Sequence, residues 1–120
     1  MLYSIEYITE STLLGIWKIE ESREELLSML HHHEWIQNIY SIKSDSRVLE
    51  ILTARVLFKE LLGEEKEIYY NSSGKPFLAD KSYHISVSHT RGYVGVALNK
   101  HKLLGLDLEQ ISEKIFKVRS

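Results

Sequence analysis

Two carboxylates separated by one residue stand in the segment Gly-Leu-Asp-Leu-Glu at residues 105–109. Residues two apart in a strand point the same way, so Asp107 and Glu109 would share one face while the leucines occupy the other. Neighbouring carboxylates repel unless a cation separates them, and Mg²⁺ is commonly held by one or two carboxylates plus substrate phosphates. The spacing therefore indicates a Mg²⁺ site, and the alternative is a solvated strand face with alternating acids.

Ser88 and His89 close the segment Ile-Ser-Val-Ser-His-Thr at residues 85–90, which predicts a strand running into a turn. Such a strand end can present small polar groups and backbone amides to an anion. A nucleophilic Ser88 activated by His89 fits poorly, because adjacent strand side chains point to opposite faces and no orienting acid is evident. The pair is better interpreted as a phosphate contact, with a polar turn after a core strand as the alternative.

Lys75 lies between Gly74 and Pro76, so glycine permits unusual dihedral angles before it and proline fixes the exit after it. An ammonium held in such a turn could meet a phosphate at low entropic cost. The alternative is a solvated turn lysine, which is the commoner environment. A Walker loop is excluded, because its glycine spacing and the Ser or Thr after the lysine are absent.

Arg47 and Arg55 are eight residues apart on the strongest predicted helix. At helical geometry they differ by about 80° in direction and by ~12 Å along the axis, so they could line one side of a groove for an elongated polyanion. They could equally be flanks of an amphipathic stripe, with Glu50 as a local partner of Arg47.

The run His31-His32-His33 does not predict a metal centre, because consecutive helical side chains fan out and do not converge on one ion. We interpret it as a polar helix end with affinity for the C-terminal dipole. Trp17 and Trp35 are assigned to packing.

These residues need a framework of alternating and helical segments, which predicts an α+β fold with one long helix on a mostly antiparallel sheet. Ser22 and Glu25 form a capping-box pattern, Asp45 is the expected N-cap of the long helix, and Gly63 is its expected left-handed C-cap. Strands are predicted at 2–8, 67–70, 83–88, 93–98 and 103–109, a strand or helix at 13–20, helices at 23–33, 46–62 and 111–118, and turns at 71–74, 91–92 and 99–102.

The composition describes one folded domain of 120 residues, with 43% hydrophobic and 27% charged side chains. A net charge of -2 argues against a nucleic-acid partner held by a basic surface. The absence of cysteine excludes disulfides and thiol catalysis, and it is compatible with the cytoplasm, where we expect the protein to reside. No apolar run is long enough to span a bilayer, and the start lacks signal-peptide features, so no membrane association is expected.

The order and spacing of these motifs resemble the N-terminal half of a 4′-phosphopantetheinyl transferase of the two-halved, Sfp-like kind. Members of that family transfer the phosphopantetheine arm of coenzyme A to a serine of an acyl or peptidyl carrier protein and release 3′,5′-ADP. The resemblance covers almost the whole chain. It rests on the helix arginines, then Gly74-Lys75-Pro76, then Ser88-His89, then Asp107 and Glu109, in that order.

By this resemblance, Asp107 and Glu109 would be two Mg²⁺ ligands, and Lys75, Ser88 and His89 would contact coenzyme A, with His89 near its 3′-phosphate. Arg47 and Arg55 would help to hold the phosphates. The family fold is a pseudo-twofold pair of half-domains with the active site between them. No catalytic residue is identified in the half that this chain resembles, and the nucleophile would come from the carrier protein.

The chain departs from the family in one respect, since nothing in it matches the Trp/Phe-x-x-Lys-Glu motif of the second half. The small trimeric branch is excluded by motif order. We therefore expect a truncated, poorly active half that associates with its missing half or with itself through an exposed apolar face. Two alternatives stay open: a non-catalytic module that binds coenzyme A or a carrier protein, and a metal-dependent phosphohydrolase acting on a nucleotide.

Overall fold

Residues 1–73 and 75–100 are described by a computed structural model of the chain, without the side chains of residues 37, 38 and 40. They confirm the general α+β class, with one long helix and antiparallel strand pairing. The elements are β1 (Leu2–Tyr7), β2 (Thr12–Lys18), α1 (Arg23–Ser28), a 3₁₀ segment (His33–Ser41), α2 (Asp45–Leu62), β3 (Ile68–Tyr70), β4 (Pro76–Leu78), β5 (His84–Thr90) and β6 (Tyr93–Asn99).

The main sheet has four strands in the order β1-β2-β6-β5, and each neighbouring pair is antiparallel. β5 and β6 are joined by the two-residue turn at Arg91 and Gly92, both with positive φ, which matches the twist of an antiparallel hairpin. This hairpin confirms the predicted turn at 91–92. β3 and β4 form a separate hairpin that packs beside β5.

Helix α2 packs across one face of the main sheet because its apolar residues recur at helical spacing. Its buried residues Val48, Leu52, Val56 and Leu57 join the alternating positions of β6 that face the helix in the larger core. Gly63 ends the helix with φ 80°, as predicted from its sequence position. The N-cap prediction was wrong by one residue, because Ser44, not Asp45, accepts the hydrogen bond from the Arg47 amide.

The opposite face of the sheet carries a smaller buried cluster formed by Leu14, Ile16 and Ala97. Tyr3 and Tyr93 pack against it, with their rings edge to face at 5.4 Å between centroids. The sheet is thus apolar on both faces at its centre. Along β2 and β6, residues that point to either face of the sheet therefore contribute to a core.

Strand β1 is present as predicted. Tyr3 and Ile5 are two residues apart, but they do not lie on the same face of the sheet. Ser4 pairs with Ile16 after an irregularity between Leu2 and Ser4, and this shift breaks the two-residue alternation. Tyr3 consequently packs beneath the sheet, whereas Ile5 pairs with Gly15 on the α2 side. Ile5 and Tyr7 are exposed there, so Tyr3, Ile5 and Tyr7 do not form the half-buried row that simple alternation along the predicted strand at 2–8 would give.

Two other regions of the predicted framework are now defined. Residues 13–20, left open between strand and helix, contain strand β2. The capping box at Ser22 and Glu25 is confirmed, yet helix α1 ends at Ser28 rather than near 33. It stops because the amides of His31 and His32 donate to the Glu65 carboxylate instead of to the carbonyls one helical turn earlier.

Strand β4 was not predicted, and β5 continues to Thr90, two residues beyond the predicted end. The predicted strand at 103–109 and helix at 111–118 lie outside the described residues. None of the described helices is both long and apolar enough to cross a membrane.

Candidate functional site

Strand β5 brings His89 to the α2 side of the sheet and Ser88 to the other side. His89 pairs with Val94, a core residue beneath the helix, while Ser88 pairs with Gly95. Side chains paired across antiparallel strands share a face, so the two neighbours project in opposite directions. Both residues lie among the last three of β5, so the predicted strand does run into the turn at Arg91 and Gly92, although it continues to Thr90 before the turn begins.

Glu50 of α2 stands between the two predicted phosphate ligands His89 and Arg47. Nδ1 of His89 lies 2.6 Å from Oε2 of Glu50, and Nη1 of Arg47 lies 4.0 Å from Oε1 of the same carboxylate. Glu50 is 22% exposed, whereas His89 is 46% exposed and Arg47 is 55% exposed. Two cationic or protonatable groups therefore converge on one partly buried carboxylate.

These three residues line a cavity of about 160 Å³ between α2, β5 and the β3–β4 hairpin, which we call the His89 cavity. Its remaining wall is mostly apolar and is formed by Ile51, Ala54, Tyr70, Pro76, Val87 and Val94. Small-molecule sites usually enclose about 300–1,000 Å³. The His89 cavity is therefore sized for one group of a ligand and not for a whole nucleotide.

Arg55 lies further along α2 than Arg47 and Glu50, and it is largely buried. Nη2 donates to the carbonyl oxygen of Ile68 at 3.2 Å, and the guanidinium lies 6.0 Å from the centre of the Tyr70 ring. Burial lowers the pKa of Arg55, although Tyr70 and Glu67 act in the opposite direction. An arginine nevertheless stays charged at any physiological pH.

The buried Nε of Arg55 has no hydrogen-bond partner among the described residues, and no described carboxylate forms an ion pair with this side chain. Burying a charge without an ion-pair partner is costly, so this guanidinium would be stabilised by an anionic ligand. Arg47 and Arg55 line one cavity of about 530 Å³, as their helical spacing predicts. We call it the Arg55 cavity.

Aromatic and aliphatic side chains complete the Arg55 cavity, and none of the described residues that line it is acidic. Trp35, Tyr69 and Tyr70 supply ring surfaces, and Ile36, Ile39, Ile42, Ile51 and Ile68 supply aliphatic ones. Flat apolar walls with two arginines match a ligand that combines a ring with anionic groups.

Lys75 lies in the loop that joins β3 to β4. The side chain of Asn71 shapes its turn, since Oδ1 accepts hydrogen bonds from the amides of Ser73 at 3.0 Å and Lys75 at 2.9 Å. Lys75 lines a third cavity of about 380 Å³, the Lys75 cavity, together with Tyr69, Phe77 and Lys81. Ser72 and Ser73 lie in a turn, as predicted for residues 71–74, while Gly74 lies outside the described residues.

The three cavities are neighbours that share walls around the hairpin. Arg47, Ile51 and Tyr70 separate the His89 cavity from the Arg55 cavity. Pro76 lies between the His89 and Lys75 cavities, and Tyr69 borders both the Arg55 and Lys75 cavities. Arg47, Arg55 and His89 therefore line cavities beside this hairpin, and Lys75 lines the adjoining cavity from the hairpin's own loop.

The predicted metal ligands Asp107 and Glu109 lie outside the described residues. Within residues 1–73 and 75–100, no group of three or more His, Asp or Glu side chains could hold a metal ion. Carboxylate oxygens remain a donor set that Mg²⁺ prefers, so the composition of the predicted site fits that ion.

Sequence reasoning missed the role of Glu50 and Tyr70. Glu50 was identified only as the helical neighbour of Arg47, because its contact with His89 joins residues 39 positions apart across two elements. Tyr70 borders two cavities and contacts Arg55, and its place in a short strand gave no periodic signal.

The three histidines at 31–33 have separate contacts. Nε2 of His33 lies 2.8 Å from the carbonyl oxygens of Leu27 and Leu30 at the end of α1, consistent with a polar helix end. The His32 ring stacks on Trp35 at 4.1 Å between centroids. Trp17 packs in the core as predicted.

No protein-family model matches this chain, and no curated protein matches it either.

Proposed function

We propose that this chain is the coenzyme A-binding half of a 4′-phosphopantetheinyl transferase with the pseudo-twofold fold of that family. In the proposed reaction, the serine oxygen of an acyl or peptidyl carrier protein bonds to the phosphorus that bears pantetheine. The pyrophosphate P–O bond breaks, the serine proton is released and 3′,5′-ADP leaves. The proposal starts from the order of motifs in the sequence.

The observation that carries the proposal furthest is the placement of Arg47, Arg55, Lys75 and His89 around the β3–β4 hairpin. Coenzyme A is an elongated polyanion with an aromatic base, and it needs cationic groups spread along connected cavities. The Arg55 cavity offers rings and two arginines, whereas the small His89 cavity suits a single phosphate.

The chain's own residues would bind and orient the donor. Arg47 and Arg55 would hold phosphate oxygens, Arg55 with a fixed guanidinium because Ile68 and Tyr70 already contact it. Fixed cations lower the barrier of phosphoryl transfer by positioning the donor in line and by offsetting charge that develops on the leaving group.

Asp107 and Glu109 are the residues that would hold Mg²⁺ in this proposal. A bound Mg²⁺ would supply charge neutralisation on the pyrophosphate. Ser88 faces away from His89, so the proposed phosphate contacts on the α2 side depend on the four cationic residues alone.

Binding is tested first, by calorimetric titration of the chain with coenzyme A in the presence of Mg²⁺. Arg47→Ala and His89→Gln should each weaken binding by about tenfold, the usual effect of losing one charge-assisted hydrogen bond. Lys43→Ala removes an exposed cation that lines none of the three cavities, and it should leave affinity unchanged. Failure of the wild-type chain to bind coenzyme A would overturn the proposal.

Transfer is tested next, by intact mass of an apo carrier protein mixed with coenzyme A and Mg²⁺. We expect slow conversion by this chain alone and faster conversion when a second half bearing the Trp/Phe-x-x-Lys-Glu motif is added. Binding without any transfer in that mixture would favour the non-catalytic module. Release of 3′,5′-ADP without a carrier would instead favour the phosphohydrolase.

A further inference from the structure

The contact between His89 and Glu50 constrains which ring nitrogen of His89 can meet a ligand. An ionised carboxylate only accepts hydrogen bonds, so Nδ1 of His89 donates across the 2.6 Å contact to Oε2 of Glu50. The other ring nitrogen, Nε2, is then the atom left for the His89 cavity. A neutral ring in this arrangement carries its proton on Nδ1 and a lone pair on Nε2.

We propose that Glu50 is a positioning residue that fixes the His89 ring, so that His89 binds an anion as an imidazolium through Nε2–H. The inference rests on the proposed function for the identity of the ligand, a phosphate group of coenzyme A. A phosphate oxygen repels the lone pair of a neutral Nε2, whereas an imidazolium donates from both nitrogens at once. Nδ1–H then stays on Glu50 while Nε2–H bonds the phosphate.

The surroundings of His89 are consistent with this role. Arg47 and Glu50 approach from α2, Tyr70 approaches from β3, and the other side chains that line the cavity are uncharged. Among the described residues that line this cavity, Glu50 is the only carboxylate, and it is the group that can orient the ring.

A carboxylate in an anion site has a cost, because it repels the ligand. That repulsion is offset once His89 is protonated. The charges of the imidazolium and of the Glu50 carboxylate then cancel, and the cavity keeps the positive charge of Arg47. Phosphate binding should thus be accompanied by uptake of one proton wherever the unbound ring is neutral. Affinity should then fall with rising pH, by up to about tenfold per pH unit.

The first experiment needs no ligand. Long-range ¹H–¹⁵N NMR of the folded chain reports which ring nitrogen carries the proton, and His89→Gln assigns the His89 signals among the six histidines. We expect the Nδ1–H tautomer in the neutral wild-type ring, a shift towards Nε2–H in Glu50→Ala, and a smaller shift in Glu50→Gln, whose amide oxygen still accepts a hydrogen bond. Glu60→Gln on the exposed side of the same helix is the matched control, and it should leave the tautomer unchanged.

Glu50→Gln preserves side-chain volume. If Glu50→Ala does not fold, the tautomer can still be measured in Glu50→Gln. An Nε2–H tautomer in the wild type, or a tautomer that does not respond to either variant, would overturn the inference.

The second experiment measures coenzyme A affinity against pH for the wild type and His89→Gln. The phosphate groups of the ligand titrate identically in both titrations, so the difference isolates His89. We expect a steeper loss of affinity with rising pH in the wild type, and equal slopes would overturn binding through the imidazolium. Absence of coenzyme A binding would contradict the proposed function, while the NMR tautomer would still decide the role of Glu50.

Discussion

Arg55 of α2 donates a hydrogen bond from Nη2 to the backbone carbonyl of Ile68 at 3.2 Å. This bond links the long helix to the first strand of the β3–β4 hairpin, around which the three cavities lie. The charged group is buried while its Nε lacks a described partner. A charge kept in such a place reduces stability. A role in binding would explain why it is present despite that cost.

Arg55→Met tests whether the charge serves binding. Methionine has a similar volume and removes the desolvation cost together with one hydrogen bond of about 1 kcal/mol. We expect the free energy of unfolding, measured in urea, to change by less than about 1 kcal/mol. Coenzyme A affinity should fall at least tenfold, as measured by calorimetry.

Arg55→Ala is the control for packing, because it leaves a cavity and should destabilise the protein more than Arg55→Met does. A large loss of stability in Arg55→Met with unchanged affinity would assign Arg55 to the structure alone.

Gly15 of β2 lies beneath α2 where a side chain has little space. A Cβ built there would lie 3.0 Å from methyl carbons of Leu57 and Leu61. These are ends of flexible side chains, so alanine forces them to shift and does not prevent folding. Gly15→Ala should lower the free energy of unfolding by about 1–2 kcal/mol, with the steric cost exceeding the gain from a stiffer unfolded chain.

A double-mutant cycle checks the cause of that loss. In a Leu61→Ala background one of the two crowding side chains is gone, so Gly15→Ala should cost clearly less than in the wild type. An equal cost in both backgrounds would show that the crowding is not the reason.

The sequence pattern was enough to predict α2, β5 and β6, because α2 carries a broad set of apolar residues and β6 is a short apolar run that is buried on both faces of the sheet. It failed for β1, where an irregularity between Leu2 and Ser4 reverses the faces, since such a shift depends on pairing with β2 and not on the strand's own pattern. β4 is three residues long, too short for any period to be visible.

Within the candidate site, helix geometry allowed Arg47 and Arg55 to share a cavity, while Glu50 as a local partner of Arg47 stayed an open alternative; the structure contains both the shared cavity and the Arg47–Glu50 contact. The contact of His89 with Glu50 could not be predicted, because it requires knowing how β5 lies against α2. Local spacing reports which residues share an element, whereas contacts between elements depend on the packed fold.

The beginning of α2 gives a prediction about which residue caps it. The Ser44 hydroxyl accepts from the Arg47 amide at 3.3 Å, while Asp45 is the first helical residue and forms an exposed ion pair with Arg23. Ser44→Ala should therefore cost about 1 kcal/mol of stability, and Asp45→Ala should cost less because exposed ion pairs contribute little. Urea unfolding of both variants gives the ranking, and a larger loss in Asp45→Ala would identify Asp45 as the cap.

Glu21 gives a prediction about stability against pH. Burial acts to raise its pKa, but hydrogen bonds from the Met1 ammonium, the Trp17 indole and the Glu20 amide together lower the pKa to about 2. A carboxyl whose folded pKa lies below its unfolded value of 4.5 stabilises the fold above that value. The contribution disappears as pH falls from about 5 to about 2, because the unfolded chain binds the proton first.

Glu21→Gln retains an acceptor for the Trp17 indole and removes the charge. At pH 7 the wild type should be more stable than this variant by about 1–2 kcal/mol, a value discounted because the Met1 ammonium is well exposed. Urea unfolding at several pH values should show the two stabilities converging between pH 5 and pH 2. Glu20→Gln, which changes a neighbouring exposed carboxylate, should follow the wild type more closely over that interval. A difference between wild type and Glu21→Gln that stays constant down to pH 2 would mean that the carboxylate is not the group stabilised by folding.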